Sequence, residues 1–304
     1  MPPSPSQEQK RARCYLIGTA QFEAETLAPG LHVVATPIGN LGDVTIRALA
    51  TLTAADIVLC EDTRTTAKLM NRYGIRTRLE AYHEHNAAKV RPGILSRLKE
   101  QETIALVSDA GMPLVSDPGY RLVVEAVSAG IAVTCCPGPS AVATALALSG
   151  LPTNRFAFFG FVPQKQGDRR SLFRELANLK STLVFFESPH RILTTLQDIA
   201  VTLPGREVAV ARELTKVHEE VLRGSASDVA ATLAGRTSIK GEITLVISPL
   251  DETSAASEED IGAAIAETMS MAPSKAASEL AKRFNMGKKE IYARILAAKD
   301  AARG

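Results

Sequence analysis

Four turns rich in Gly, Pro and Asp contain the residues of this sequence that are best suited to chemistry. They are TPIGNLGD (36–43), EDTR (61–64), SDAGMPLVSDPG (108–119) and PGPS (137–140). Each turn follows a short apolar run of the kind that forms a buried strand. Because ligands of open parallel sheets bind beyond the carboxyl ends of the strands, we expect the four turns to meet at one ligand site.

The residue types in these turns indicate what the ligand carries. Neither standard phosphate-binding loop occurs, since there is no G-x-x-x-x-G-K-[ST] and no G-x-G-x-x-G opening a helix after a strand. Carboxylates at Asp43, Asp109 and Asp117 would repel a polyphosphate but suit hydroxyls and cations. S-adenosylmethionine combines a ribose diol, an amino group and a sulfonium, so the turns favour it or another nucleoside-like ligand.

An alternation of β-rich runs and helical patterns positions these turns. It predicts strands at 31–35, 56–61, 78–82, 103–108 and 131–136. Strands of this kind separated by helices are typical of an α/β domain with a mostly parallel sheet covered on both faces. A second α/β unit follows, with predicted strands at 156–161, 182–188, 207–213, 219–224 and 242–248. Some of these strands follow one another directly, so we expect the second sheet to be mixed.

Breaks in the pattern predict the domains. LSGLPTNR (148–155) has no periodicity, and DETSAASEED (251–260) reads as an acidic linker. We therefore predict a disordered leader at 1–29, an N-terminal α/β domain at 30–150, a second α/β domain at 151–250, and a linker with a small helical domain at 251–304. Two helices around Asn285-Met286-Gly287 give this last region a helix-turn-helix pattern.

Composition is typical of a globular protein of the cytoplasm. The chain has 304 residues, of which 45% are hydrophobic, and a net charge of +2. No apolar run approaches the roughly 20 residues that cross a bilayer, and the leader lacks the features of a signal peptide. Cys14, Cys60, Cys135 and Cys136 lack metal-type spacing, which predicts reduced residues in buried strands.

Six phrases resemble the ordered signature of one family. They are VATPIGNLGDVTIRAL, CEDTRTT, LVSDAGMPLVSDPGYRLV, PGPSAVATAL, FFESPHRI and VARELTKVHEE. In this order they are similar to the ribosomal RNA small subunit methyltransferase I family, a branch of the tetrapyrrole-methylase (class III) fold, over about residues 31–300. Met112 departs from the family phrase, which usually has Thr there, so a hydroxyl contact at this position is in doubt.

The resemblance implies an activity. Members use S-adenosylmethionine, bound in a cleft between two α/β domains, to methylate the ribose 2′-oxygen of a cytidine in the decoding region of small-subunit (16S) rRNA. The resemblance also implies a homodimer that acts on rRNA or the small ribosomal subunit, away from membranes. Two alternatives stay open: a tetrapyrrole methyltransferase of the same fold, and a non-catalytic RNA-binding assembly factor that retains the cofactor pocket.

By the same resemblance, one set of residues binds the cofactor: Pro37, Gly39, Asp109, Ala110, Gly111, Asp117, Gly138, Ser140, Ala141, Ser188, Pro189 and Gly241. Gly111 and Gly138 would be glycines because backbone passes close to the ligand. Asp117 has a stronger structural alternative. It precedes Pro118 and a helical pattern, and therefore fits a helix N-cap with proline at the first helical position.

Methyl transfer to a hydroxyl requires alignment of the reacting atoms and an acceptor for the hydroxyl proton, and it requires no metal. The candidate bases are Glu61, Asp62, His83 and His85, and the sequence does not rank them. Arg64, Arg191 and Lys216 are candidates to hold a phosphate or stabilise an alkoxide. His83 and His85 have metal-like spacing, but no third ligand lies near, so we predict no metal.

Two basic segments are candidates for RNA contact. The first includes Lys165, Arg169 and Arg170, and the second, on the last predicted helix, includes Lys288, Lys289 and Arg294. Each has a structural alternative. Charge runs are usually solvated faces, and a helix pair at the chain's end can simply cover apolar surface.

Overall fold

The computed structural model describes residues 13–114, 119–250, 258–284 and 286–301. Its strands are β1 Cys14–Ile17, β2 Ala20–Glu23, β3 Gly30–Val34, β4 Ile57–Cys60, β5 Arg78–Ala81, β6 Thr103–Leu106, β7 Val133–Cys136, β8 Phe156–Phe161, β9 Thr182–Glu187, β10 Glu207–Arg212, β11 Glu220–Ser225 and β12 Ile243–Ile247. Its α-helices are α1 Ile46–Ala54, α2 Thr63–Arg72, α3 Glu84–Lys99, α4 Tyr120–Ser128, α5 Ala141–Ser149, α6 Gln166–Glu175, α7 Ile192–Thr202, α8 Ala226–Ala234, α9 Glu258–Glu267, α10 Pro273–Phe284 and α11 Lys288–Ala301.

The first sheet is parallel, as predicted. Its strands lie in the order β5-β4-β6-β3-β7, and every neighbouring pair is parallel. The three central strands are buried along their whole length. One face packs against α1 and α2 and the other against α3 and α4. This arrangement brings the turns after β3, β4, β6 and β7 to one edge.

The second sheet is mixed, as predicted. Its order is β11-β10-β12-β9-β8, with β8 and β9 parallel and the other pairs antiparallel. One face packs against α6, α7 and α8. The other face packs against α5, whose Val142, Ala145 and Leu146 lie against Val184 of β9 and Val246 of β12. Helix α5 therefore joins the two sheets.

The N-terminal segment is partly ordered, which corrects the prediction of a disordered leader over 1–29. Strands β1 and β2 form an antiparallel hairpin through Gly18, which has a φ of +62°. Tyr15 is buried beside α1 and stacks on Phe22 at 5.7 Å. Arg13 forms an ion pair with Asp56 at 2.9 Å. The prediction is therefore wrong for residues 14–23, and residues 1–12 lie outside the described part of the chain.

Glycines end three helices where the sequence predicts C-caps. Gly74, Gly130 and Gly150, after α2, α4 and α5, have φ values of 68°, 71° and 73°, and such left-handed values cost glycine little. The start of α4 differs from the prediction, because the helix begins at Tyr120 with Gly119 at its N-cap position. Asp117, predicted as cap or cofactor ligand, lies outside the described residues.

In the described residues the C-terminal unit contains three helices, of which α10 and α11 are the two that the sequence predicts on either side of Gly287. Helix α9 begins inside the segment predicted as a linker. It packs with α10 and α11 around Ile261, Leu280, Ile291 and Ile295. Across the chain as described, none of the helices has the length and apolar character needed to cross a membrane.

Only two of the four cysteines are buried. Cys60 and Cys136 are buried, Cys14 is half-buried and Cys135 is exposed. The prediction of buried strand positions is wrong for Cys135 because its strand, β7, lies at the edge of the first sheet.

Candidate functional site

A cavity of about 410 Å³ lies between the edge of the first sheet and the α5 face of the second. We call it the inter-sheet cavity. Residues of the first unit that line it are Ile38, Asp109, Ala110, Gly111, Met112, Ser140, Ala141 and Val142. Residues of the second unit that line it are Phe161, Phe186, Glu187, Ser188, Pro189, Leu214, Gly241, Glu242, Ile243 and Thr244.

The Asp109-Ala110-Gly111 turn is held in place by its neighbours. Gly111 and Thr36 each donate a backbone N–H to the other's carbonyl, at 3.0 and 2.9 Å, which ties the turn to the end of β3. The Ser108 hydroxyl donates to the Gly111 carbonyl at 3.2 Å. Gly111 has a φ of +82°, which explains why this position is glycine. Asp109 Oδ1 accepts the backbone N–H of Asp62 at 3.1 Å, so the carboxylate links the ends of β6 and β4.

The start of α5 forms another part of the wall. Ser140 caps the helix by accepting the N–H of Ala143 at 3.4 Å. Ala141 and Val142, the first two residues of α5, line the cavity. N–H groups in the first turn of a helix have no intrahelical partner and carry partial positive charge. They are therefore suited to oxygen or nitrogen acceptors of a ligand.

Buried Glu187 supports the opposite wall. Its carboxylate accepts hydrogen bonds from the Thr195 hydroxyl at 2.5 Å and from the Ser188 N–H at 2.6 Å. Arg191 pairs with it at 2.6 Å and also donates to the Val162 carbonyl. Arg191, a predicted catalytic residue, lines neither cavity of this region. Arg191 supports the Ser188-Pro189 segment indirectly, through its ion pair with Glu187.

A second cavity, of about 330 Å³, adjoins the first. We call it the polar cavity. It shares Ile38, Asp109, Ala110 and Glu242 with the inter-sheet cavity. Its other lining residues are Thr36, Pro37, Gly39, Leu41, Thr65, Thr66, Lys68, Leu69, Ser108 and Lys216. Pro37 and Gly39, predicted to contact the cofactor, therefore line the polar cavity and not the inter-sheet cavity.

Lys216 lies between two carboxylates beside the polar cavity. Its Nζ donates to Glu213 Oε1 at 2.8 Å and to Glu242 Oε2 at 2.9 Å. Partial burial acts to lower the pKa of Lys216, but the two carboxylates outweigh burial, and the net shift is upward. The hydrogen bond from Lys216 lowers the pKa of Glu213. Lys216 and Glu213 thus stay charged at neutral pH, and together with Glu242 they form what we call the Lys216 cluster.

Two glycines make room for the Lys216 cluster. A Cβ at Gly39 would lie 2.5 Å from Cε of Lys216, and a Cβ at Gly241 would collide with the carboxyl group of Glu213. Gly241 also has a φ of +92°. Gly138 lines neither cavity, and a Cβ there would lie 3.0 Å from that of Ala35. Packing against Ala35, which directly follows β3, explains why residue 138 is glycine, without a close approach to a ligand.

None of the four candidate bases predicted from the sequence lines either cavity. Asp62 caps α2 and pairs with Arg64 at 2.7 Å, and the Arg64 hydrogen bonds lower the pKa of Asp62 to about 2. A carboxyl group with so low a pKa is a weak base. Glu61 is exposed. His83 is the N-cap residue of α3, and its backbone N–H donates a hydrogen bond to Asn86 Oδ1. The ring of His83 lies 6.0 Å from the ring of His85.

Within the described part of the chain, no group of three or more His, Cys, Asp or Glu side chains could hold a metal ion.

The predicted RNA-binding residues fall into two classes. Arg169 is buried, and its side chain and that of Arg170 both pair with Asp198, at 2.5 and 2.6 Å. A buried, paired guanidinium cannot reach an external phosphate, so this prediction is wrong for Arg169. Lys165, Lys288 and Lys289 are exposed. Arg294 pairs with Glu290 along α11 at 3.2 Å.

The predicted site residues omit most of the apolar lining and several charged residues, among them Glu187, Glu213 and Glu242. Phe161, Phe186 and Ile243 stand at the ends of strands, and their predicted strand membership gave no indication that they face a ligand. Glu213 lies inside the phrase VARELTKVHEE, and Glu242 follows Gly241 directly. Their proximity to recognised motifs was the signal that could have identified them.

Comparison with known proteins gives consistent matches. Residues 30–230 match the family described as Tetrapyrrole (Corrin/Porphyrin) Methylases. The "Ribosomal RNA small subunit methyltransferase I" of Mesorhizobium japonicum is 47% identical over 94% of this chain and 97% of its own length. The protein of that name from Halalkalibacterium halodurans is 51% identical over 71% of this chain and 75% of its own.

A solved structure shares the fold. The uroporphyrin-III-C-methyltransferase from Thermus thermophilus superposes with a TM-score of 0.51 at 20% identity, covering 72% of this chain and 94% of that one.

Proposed function

We infer the activity of this chain from its family, because the chain belongs to the tetrapyrrole (corrin/porphyrin) methylases and, among them, to the ribosomal RNA small subunit methyltransferase I group. It is a methyltransferase of small-subunit ribosomal RNA. We propose in addition that the methyl donor is S-adenosylmethionine and that the acceptor is the ribose 2′-oxygen of a cytidine in the decoding region. We propose that it works in the cytoplasm as a homodimer.

The composition of the inter-sheet cavity is the observation that carries this proposal. Its volume of about 410 Å³ is in the range of small-molecule sites. Its apolar wall, formed by Phe161, Phe186, Leu214 and Ile243, suits an adenine ring. The carboxylate of Asp109 suits a ribose diol or an ammonium group, and the free N–H groups at the start of α5 suit acceptor atoms. These residues fit S-adenosylmethionine.

When bound, S-adenosylmethionine supplies an activated methyl group, and the protein's residues perform the rest. Asp109, Ala110 and Gly111 hold the ligand from the first sheet. Ser188 and Pro189, fixed by Glu187, close it in from the second. The raised pKa of Lys216 supports a role for its ammonium group in stabilising negative charge on the attacking oxygen. Among the predicted RNA contacts, exposed Lys165, Lys288 and Lys289 are proposed to meet phosphates.

The test is transfer of a labelled methyl group to small ribosomal subunits from a strain that lacks this protein. We expect label in 16S rRNA as an alkali-resistant dinucleotide containing a 2′-O-methylcytidine. Naked 16S rRNA and a tetrapyrrole acceptor are run in parallel, and subunits from the parent strain serve as the control whose site is already filled. Label in the tetrapyrrole alone, or in no acceptor, would refute the proposal.

A further inference from the structure

Glu242 lies on the wall that the two cavities share. It lines both of them, together with Ile38, Asp109 and Ala110. Its side chain is 75% exposed. Its backbone is fixed, since its N–H donates to Glu213 Oε1 at 3.0 Å and its carbonyl accepts the N–H of Glu213 at 3.0 Å. A carboxylate at this junction can reach atoms from both a ligand in the inter-sheet cavity and one in the polar cavity.

The polar cavity has the chemistry of a sugar-phosphate site. Thr65, Thr66 and Ser108 place hydroxyl-bearing residues in its lining. Thr66 is only 3% exposed, and its hydroxyl makes no hydrogen bond of ordinary geometry. It lies close to the Cys60 thiol, whose pKa is raised by burial and lowered in part by this hydroxyl. Along α2, Lys68 lines the cavity and Arg72 is exposed. Cations beside hydroxyl groups suit a nucleotide with its backbone phosphates.

Among the carboxylates around the two cavities, Glu242 is the exposed one, and it lines both cavities, so it is the one most open to a substrate hydroxyl and to solvent. Lys216 is already protonated. Glu213 Oε1 accepts hydrogen bonds from both Lys216 and the Glu242 N–H, and Asp109 accepts the Asp62 N–H. Hydrogen bonds to the charged form make a carboxylate a weaker base. The Glu242 carboxylate accepts one such bond, from Lys216 to Oε2, within the described residues.

We propose that Glu242 is a catalytic residue that takes the proton from the ribose hydroxyl of a nucleotide in the polar cavity, and that Glu213 is a positioning residue that holds Lys216 beside the reacting oxygen. This inference rests on the proposed function. The O–H bond breaks as its proton passes to the Glu242 carboxylate. The electron pair left on oxygen forms the bond to the methyl carbon, and the carbon–sulfur bond breaks with its electrons remaining on sulfur. Glu242 then releases the proton to solvent through its exposed side.

The decisive variant is Glu242→Gln, because the amide keeps the size of the side chain and an oxygen for Lys216 but has no basicity. We expect the single-turnover rate of methyl transfer to small subunits to fall by about 10²- to 10⁴-fold, the usual contribution of a general base. Calorimetric affinity for S-adenosylhomocysteine and affinity for the subunit should stay nearly unchanged. Glu207→Gln is the matched control and should retain the parent rate. Glu207 begins β10, whereas Glu242 contacts Glu213, just beyond the other end of that strand.

Two outcomes would overturn the inference. One is an unreduced rate in Glu242→Gln, and the other is a loss of S-adenosylhomocysteine affinity as large as the loss of rate, which would make Glu242 a cofactor-binding group. If the parent protein itself transfers no methyl group, the proposed function fails first. If the parent and Glu242→Gln transfer methyl groups at the same rate, the role of Glu242 is contradicted and the proposed function is not.

The pH profile gives a second test. The charged groups that face Glu242 are Lys216 and Glu213 by contact, and Asp109, Glu187 and Lys68 across the cavities. The parent rate should rise with pH as Glu242 loses its proton, and this acid limb should be absent in Glu242→Gln. An acid limb retained in the variant would assign the proton to another group.

The role of Glu213 has a readout that needs no activity. Glu213→Gln should lower the pKa of Lys216, so an amine-acylating reagent should modify Lys216 faster, as measured by mass spectrometry. Acylation at the parent rate would contradict the positioning role.

Discussion

Two clusters of charged side chains in this molecule are opposite in design. Around Asp198, two guanidinium groups meet one carboxylate, and the side chains of Asp198 and Arg169 are only 1% and 5% exposed. Around Lys216, one ammonium group meets two carboxylates, and Glu242 is 75% exposed. The first cluster satisfies its charges inside the protein and serves architecture. The second leaves a carboxylate facing two cavities, which is what chemistry on a ligand requires.

The largest effect on stability is expected from Asp198→Ala. The substitution leaves Arg169 buried and unpaired, which should cost about 3–5 kcal/mol of unfolding free energy. Urea unfolding measures the loss. Arg170→Ala is the matched control, because Arg170 is 36% exposed and should cost less than about 1 kcal/mol. Similar losses in the two variants would show that the Asp198 cluster is not the buried structural element that the comparison requires.

Glu220 is an intermediate case that tests the comparison through pH. Its hydrogen bonds with Arg236 and Arg212 lower its pKa from 4.5 to about 2, and its side chain is 29% exposed. A depressed pKa contributes stability that is present above the unfolded-state value and is lost as the pH falls through the folded-state value. We expect a loss of up to about 3 kcal/mol between pH 4.5 and about 2.

The measurement is the unfolding free energy of the parent and of Glu220→Gln across this pH range. In the variant, the unfolding free energy should decrease less steeply as the pH falls, because the contribution of Glu220 is absent. Identical slopes would mean that the ion pairs of Glu220 do not stabilise the fold.

On the cavity side, Asp109→Ala should act on binding rather than on folding. Loss of the carboxylate should weaken S-adenosylmethionine binding about tenfold or more, equivalent to about 1.4 kcal/mol, and change RNA affinity much less. Isothermal calorimetry and a filter-binding assay measure the two affinities. Glu61→Ala, at an exposed position that lines neither cavity, is the control. Unchanged cofactor affinity would remove Asp109 from the site.

The smallest effect on stability is expected from Lys216→Met. The Lys216 cluster is open to solvent at Glu242, and partly exposed ion pairs contribute at most about 1 kcal/mol. Thermal unfolding should therefore be nearly that of the parent, in contrast to Asp198→Ala. A loss as large as that of Asp198→Ala would make the Lys216 cluster structural and weaken its assignment to catalysis.

The main sheets could be predicted because their strands are continuous apolar runs separated by periodic helices. The hairpin of β1 and β2 could not, because its strands are four residues each and its outer strand is exposed along its length. What orders it is the burial of Tyr15 against α1 and the pairing of Arg13 with Asp56, contacts made far along the chain. The first residues of α9 were assigned to the linker because the acidic start of the helix resembles the sequence before it.

The site could be predicted where it consists of turns and could not where it depends on pairing. The turn at Asp109 to Gly111 and the start of α5 at Ser140 line one cavity, as their positions after strands indicated. The Ser188-Pro189 segment, which only the family resemblance implied, lines the same cavity. The sequence could not separate Arg169 from Lys165, because the partner that buries Arg169 lies 29 residues away. Nor could the sequence rank the candidate bases, because the position of Glu242 in the lining of both cavities arises only on folding.

Helix α5 precedes the break in periodicity at residue 150, yet its apolar side completes the core of the second sheet. A chain ended at residue 150 would carry this helix without its cover, and a chain begun at 151 would expose Val184, Ala209 and Val246. The two halves should therefore melt in one cooperative transition rather than two. A molecule seated at the first turn of α5 would raise the melting temperature of the whole, so a single unfolding curve can report occupancy for both halves at once.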